Sequence, residues 1–188
     1  MADPALLAAA TRSSGGALRL AALRFPAQID VRLAAGSAAA DAITLALGLP
    51  LPVEPNTTTA TGRLTALWLG PDEWLVVGPP DTEQDLESRI RAAVAGGDDP
   101  LSVTDVSAQR AALLVSGPRA RDLLAHGCPL DLHPRAFAPG HCARTTLARA
   151  HIVLVARARP RAGFWLLVRS SYARYVTDWL LDAATEYV

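Results

Sequence analysis

One order of secondary-structure signals, strand, helix, strand, strand, helix, recurs twice along the 188 residues, and that repeat limits what the chain can fold into. In the first copy Ile29, Val31 and Leu33 alternate with Asp30 and Arg32, the period of a half-buried strand. Gly36-Ser37 turns the chain. Ser37 is placed to cap a helix whose stripe is Ala39, Ile43, Ala46 and Leu47, with Gly48 at its end. A proline-rich connection, Pro50 to Pro55, and a threonine-rich stretch follow. The apolar runs Leu64 to Leu69 and Trp74 to Val77 then flank Gly70-Pro71-Asp72-Glu73, where Pro and Asp preset a hairpin turn. A helix capped by Asp81 or Thr82, with Leu86, Ile90, Ala93 and Val94 on one face, closes the copy.

The second copy opens with the strand Arg110 to Ser116. Gly117-Pro118 starts a helix striped by Ala120, Leu123 and Leu124 and ended by Gly127. After a connection from Cys128 to Gly140, strands are predicted at about Thr145 to Ala156 and Phe164 to Val168. The last helix carries Tyr172, Tyr175, Val176, Trp179, Leu180 and Ala183. Local sequence supports the duplication: Leu47-Gly48-Leu49-Pro50-Leu51 parallels His126-Gly127-Cys128-Pro129-Leu130. The predicted fold class is α+β, two pseudo-repeated βαββα units packed together, because such a unit leaves a sheet face to bury. Residues 1–24 read as an N-terminal arm with a flexible point at Ser13-Ser14-Gly15-Gly16. Residues 25–188 read as a single domain of two halves, 25–96 and 101–188, joined by Gly96-Gly97-Asp98-Asp99-Pro100. The arm's Leu18, Leu20, Leu23 and Phe25 must fold back or bind something.

Charge excludes one function class. Eighteen basic residues, all arginine, balance 18 acidic ones, so the net basic footprint that nucleic acid requires is missing. The lack of lysine removes Schiff-base chemistry and a lysine-linked flavin. Two cysteines point to a reducing compartment. The start of the chain has no basic flank, and its apolar stretch is too short to span a bilayer, so a cytoplasmic location without membrane contact is expected.

The segment Cys128 to Cys142 gathers two cysteines, His133, His141 and Asp131, but not at zinc-binding spacing. Adjacent His141 and Cys142 would point to opposite faces of a strand. Cys128 follows a helix end, whose dipole disfavours a thiolate. Gly36-Ser37 and Ser116-Gly117 form no nucleophile elbow, Asp105 and Asp131 have no evident carboxylate partner, and no dinucleotide fingerprint occurs. Trp68, Trp74, Trp165 and Trp179 read as core. Arg157, Arg159 and Arg161 at a hairpin tip read as a solvated turn, or else as a docking point for an acidic surface. No catalytic, cofactor-binding or metal-binding residue is therefore assigned.

Several stretches carry a family resemblance. They are Trp68 to Leu75, Asp105 to Arg110, Val115 to Ala120, Phe164 to Tyr172 and, above all, the run from Gly127 to Ala143. Together they resemble the gamma subunit of heterotetrameric sarcosine oxidase over roughly residues 25–185. That family is similar to the folate-binding region of the glycine-cleavage aminomethyltransferases. Where those relatives have a Gly-Gly loop and a pocket carboxylate, this chain reads Leu147-Ala148-Arg149-Ala150-His151, with no acid. The resemblance implies a non-catalytic subunit of a complex with alpha, beta and delta partners that demethylates sarcosine to glycine. FAD, FMN, NAD, tetrahydrofolate and zinc would then belong to the partner subunits, with no cofactor held by this chain alone. The alternative is a free-standing tetrahydrofolate-binding, aminomethyltransferase-like protein.

Overall fold

The computed structural model describes residues 4–97, 100–158 and 162–187. Its elements in chain order are α1 (Pro4–Ser13), β1 (Arg19–Leu23), β2 (Ala27–Arg32), α2 (Ala38–Leu47) and β3 (Thr58–Thr61). Then come β4 (Leu64–Gly70), β5 (Glu73–Gly78), α3 (Glu83–Ala93), β6 (Ser102–Asp105) and β7 (Arg110–Ser116). The chain ends with α4 (Ala120–Ala125), β8 (Cys142–Leu147), β9 (Ala150–Arg157), β10 (Gly163–Arg169) and α5 (Ala173–Ala184). These fall into two compact units, Phe25–Ser107 and a second made of Met1–Arg24 with Ala108–Val188.

The Phe25–Ser107 unit is an antiparallel sheet in the order β3-β4-β5-β2-β6. Its core joins Ile29, Val31, Trp74 and Val76 of the sheet to Ile43 and Leu47 of α2 and Leu86 and Ile90 of α3. The Ser37 hydroxyl accepts the Ala40 N–H at 3.3 Å, and Gly48 closes α2 in the left-handed region at φ 61°. Thr82 occupies the N-cap of α3, yet its hydroxyl donates backward to the Pro79 carbonyl at 2.8 Å and leaves the helix without a side-chain cap. Asp98 and Asp99, at the centre of the linker read from sequence, lie outside the described residues.

The second unit has the order β1-β7-β10-β9-β8, also antiparallel. Leu113, Val115, Leu154, Leu166 and Val168 of this sheet pack with Leu123 and Leu124 of α4 and Val176 and Leu180 of α5. Leu7, Leu18 and Leu20 join the same core, so the segment read as an arm folds back into it. The Ser13–Gly16 stretch is a bonded turn: the Ser14 hydroxyl pairs with both backbone groups of Leu18 and the Thr11 hydroxyl with both of Leu20.

Set side by side, the two sheets have one strand order, with β3, β4, β5 and β2 matching β8, β9, β10 and β7. Each copy therefore contains three strands after its first helix, one more than its sequence signals. The outer strand beside β2 is β6 and the one beside β7 is β1, so each copy supplies its leading strand to the other copy's sheet. The connectors explain this exchange. Tight hairpins use Gly or Asn in primed turns, whereas Arg24-Phe25-Pro26 offers neither, and Pro26 keeps Phe25 extended. At the other junction Asp105 Oδ1 accepts the Ser107 N–H at 2.9 Å, a local turn that passes the chain from β6 into β7 without a tight hairpin.

Two further differences from the sequence reading have local causes. The run Thr145 to Ala156 divides into β8 and β9 at the two-residue turn Ala148-Arg149, with Ala148 at φ 50°. Ala148 N–H donates to the Gly127 carbonyl at 2.9 Å, so contact with the end of α4 fixes a turn that carries no Gly or Asn signal. The buried stripe of α5 is Ala173, Val176, Thr177, Leu180 and Ala184; Tyr172 and Tyr175 stand outside it, exposed.

A β-carbon on Gly127 would sit 2.6 Å from Trp179 Cζ2. Gly127→Ala is expected to shift tryptophan fluorescence and to cost about 1–3 kcal/mol in urea unfolding through overpacking. Leu18→Ala should cost about 2–5 kcal/mol in the same assay. Leu45→Ala, at a residue 86% exposed, should change stability by less than about 0.5 kcal/mol. A Leu18→Ala variant as stable as the parent would show that the N-terminal segment is not part of the core.

Candidate functional site

The connection from Cys128 to His141 is held by polar side chains engaged with its own backbone. The His133 N–H donates to Asp131 Oδ1 at 2.8 Å, the Arg135 N–H to His133 Nδ1 at 3.2 Å, and the Ala138 N–H to His141 Nδ1 at 2.9 Å. Each imidazole thus uses Nδ1 as an acceptor, which puts its proton on Nε2 and gives the ring a turn-capping role. Arg121, on α4, reaches across to donate to the carbonyls of Leu132 and Phe137. Its guanidinium lies 5.0 Å from the Phe164 ring centroid, and Phe164 stacks on Phe137 at 6.4 Å. Burial lowers the pKa of Arg121 from its ordinary value, which starts so far above neutrality that the charge is retained.

The two cysteines are buried and form no disulfide. Cys128 Sγ lies 3.9 Å from Thr145 Oγ1, whose strand neighbour Ile152 belongs to the helix-side core, while Cys142 pairs in register with Val155 on the alternate face. The sheet therefore separates them. Among the described residues no three His, Cys, Asp or Glu side chains gather as metal ligands, and no helix is long and apolar enough to cross a membrane.

The tryptophans do not converge either. Trp74 is buried with its indole N–H donating to the Pro52 carbonyl at 2.8 Å, and Trp68 stands opposite it on β4. Trp179 packs on Gly127, and Trp165 is covered by the Arg157 guanidinium 3.7 Å from its ring. Arg157 is thus engaged within its own unit; Arg159 and Arg161 lie outside the described residues.

Among the described residues, two concave sites lie in the second unit. One of about 330 Å³ lies beside α4 and is bounded by Arg121, Arg157 and Phe164. The larger, about 650 Å³, opens on the strands β7, β8, β9 and β10 and is lined by Arg110, Arg144, His151 and Arg169. Sequence reading assigned none of these four to a site, because strand register, not position along the chain, brings them together.

Arg121 is the clearest organising residue of this region. Arg121→Met is expected to destabilise the chain by about 1–3 kcal/mol, since two backbone acceptors lose a charged donor. Hydrogen exchange should speed up between residues 128 and 141 before it does elsewhere. Uniform acceleration across the chain would argue against a local role.

Comparison with known proteins bears on the whole chain. Residues 32–186 match the sarcosine oxidase, gamma subunit family (SoxG). The sarcosine oxidase subunit gamma of Corynebacterium sp. (strain P-1) is 37% identical over 181 residues, 96% of this chain and 86% of the relative. Among solved structures, a chain of the heterotetrameric sarcosine oxidase from Corynebacterium sp. U-96, in complex with pyrrole 2-carboxylate, superposes with a TM-score of 0.87 at 30% identity. The match covers 100% of this chain and 95% of that one. The glycine cleavage system aminomethyltransferase T from Bartonella henselae shares the fold, with a TM-score of 0.66 at 15% identity over 92% of this chain and 48% of its own. The chain belongs to the sarcosine oxidase gamma subunit family.

Proposed function

We propose that this chain is the gamma subunit of a heterotetrameric sarcosine oxidase and acts there without catalytic residues of its own. In the overall reaction sarcosine, dioxygen and water give glycine, formaldehyde and hydrogen peroxide; in the alternative outcome the one-carbon unit passes to tetrahydrofolate. The observation that carries the reading is the extent of the likeness, which runs through both units of the chain.

The residues of this chain do not fit the cofactors such chemistry needs. There is no lysine to link a flavin and no dinucleotide fingerprint, and the described residues gather no metal-ligand set. No chemical step is assigned to it. Flavins, NAD, tetrahydrofolate and zinc are assigned to alpha, beta and delta partners, and this chain supports the larger subunits around them. A cytoplasmic location is consistent with two buried thiols that form no disulfide.

Co-expression with the genes beside it is the direct test. The chain should elute in one flavin-coloured complex with three other polypeptides, and that complex should release peroxide when given sarcosine. A colourless chain eluting alone under those conditions would overturn the assignment. Calorimetric titration of the isolated chain with tetrahydrofolate covers the alternative, a free-standing folate-binding protein; saturable binding there would favour it. The stretch Leu147-Ala148-Arg149-Ala150-His151 is against that alternative, since it has no acid where the resemblance to the aminomethyltransferases implies a pocket carboxylate.

A further inference from the structure

Half-buried Arg121 uses only part of its guanidinium within the fold. Both bonds to the Leu132 and Phe137 carbonyls start from Nη1, and Nε and Nη2 have no partner among the described residues. The adjacent acid, Asp122, is taken by Arg119 at 3.0 Å. A guanidinium offers five N–H donors in a fixed fork. A charge drawn partly out of water is stabilised best when a carboxylate accepts two of them in parallel. The Phe164 ring, 5.0 Å from the guanidinium carbon, occupies the face of the group and leaves its edge for such an acceptor.

Arg121 lines the hollow of about 330 Å³, together with Phe164, Pro118, Pro139 and Ala162, and the lining includes no carboxylate. Arg157 lines it too, but its guanidinium already covers the Trp165 ring, so Arg121 carries the site. Arginine and aromatic side chains are enriched where proteins meet, and fully desolvated pockets of this kind hold the anchoring side chain of a partner. We infer that the hollow receives an acidic side chain, Asp or Glu, from a partner subunit. Its carboxylate accepts the paired donors Nε and Nη2 of Arg121, and its stem lies against Phe164 and the two prolines. This inference rests on the assignment of the chain to a heterotetramer, which supplies the partner; charge complementarity specifies what that partner brings.

Arg121 also fastens the connection from 128 to 141, so the variants leave it intact and use Ala162, which is exposed and lines the same hollow. Ala162→Glu supplies a carboxylate from within the chain and competes with the partner's. Ala162→Gln fills the same space without charge. Parent and variant, carrying different tags, are co-expressed in equal amounts with the neighbouring genes, and the flavin-coloured complex is purified. The parent should exceed Ala162→Glu in the complex about tenfold and Ala162→Gln no more than about twofold. Each isolated variant should keep the parent's melting temperature, because the position is exposed and lies outside the strands and helices. Equal entry of parent and Ala162→Glu into an intact complex overturns this inference alone, as does exclusion of Ala162→Gln as strong as that of Ala162→Glu. A parent chain that joins no complex overturns the heterotetramer assignment and this inference with it.

Discussion

Between Arg19 and Leu23 the chain pairs antiparallel with β7, and the entire Phe25–Ser107 unit lies in the loop that this pairing closes. The rest of the architecture depends on that contact. It gives the second sheet its outer strand, anchors Leu18 and Leu20 in the core, and holds α1 against α5. Its mirror, β6 on β2, gives the first sheet its outer strand by the same rule. Loop-closure entropy grows only slowly with loop length, so a closure over this separation is stable once both sheets exist. Neither sequence repeat is a complete sheet by itself.

The same economy of local bonds governs the long connection after α4. A segment with two histidines, two cysteines and an aspartate looks like a reactive centre in one dimension. In three dimensions its imidazoles cap turns, its cysteines lie on opposite sides of a sheet, and Arg121 fastens its carbonyls. Backbone polar groups in an irregular, partly buried loop must find partners, and side chains of this kind supply them. The chemistry-rich composition is thereby accounted for within the fold.

Legibility from sequence followed the physics of each element. Helix α2 was readable to the residue because Ser37 and Gly48 act locally. The β4–β5 hairpin was readable because its turn residues are sufficient by themselves. Strands β3 and β6 were missed: Thr58–Thr61 and Ser102–Asp105 are short, largely exposed outer strands without an apolar alternation, and their pairing partners define them. The turn at Ala148 was missed for a related reason, since the bond from Gly127 that holds it comes from the end of another element. On α5 the large aromatic rings of Tyr172 and Tyr175 outweighed small Ala173 and Ala184, which make the close contact. The cationic lining of the larger cavity was not legible as a group because register, not spacing, assembles it.

The exchanged strands also order events in time. β1 is made early, yet its partner β7 follows the whole Phe25–Ser107 unit. At synthesis rates of roughly 5–20 residues per second, β1 leaves the ribosome on the order of ten seconds before it has anything to pair with. The first sheet becomes complete when β6 emerges, while the second waits until β7, α4, β8, β9 and β10 have followed. The surface that carries Arg110, Arg144, His151 and Arg169 therefore forms only after the first sheet is complete.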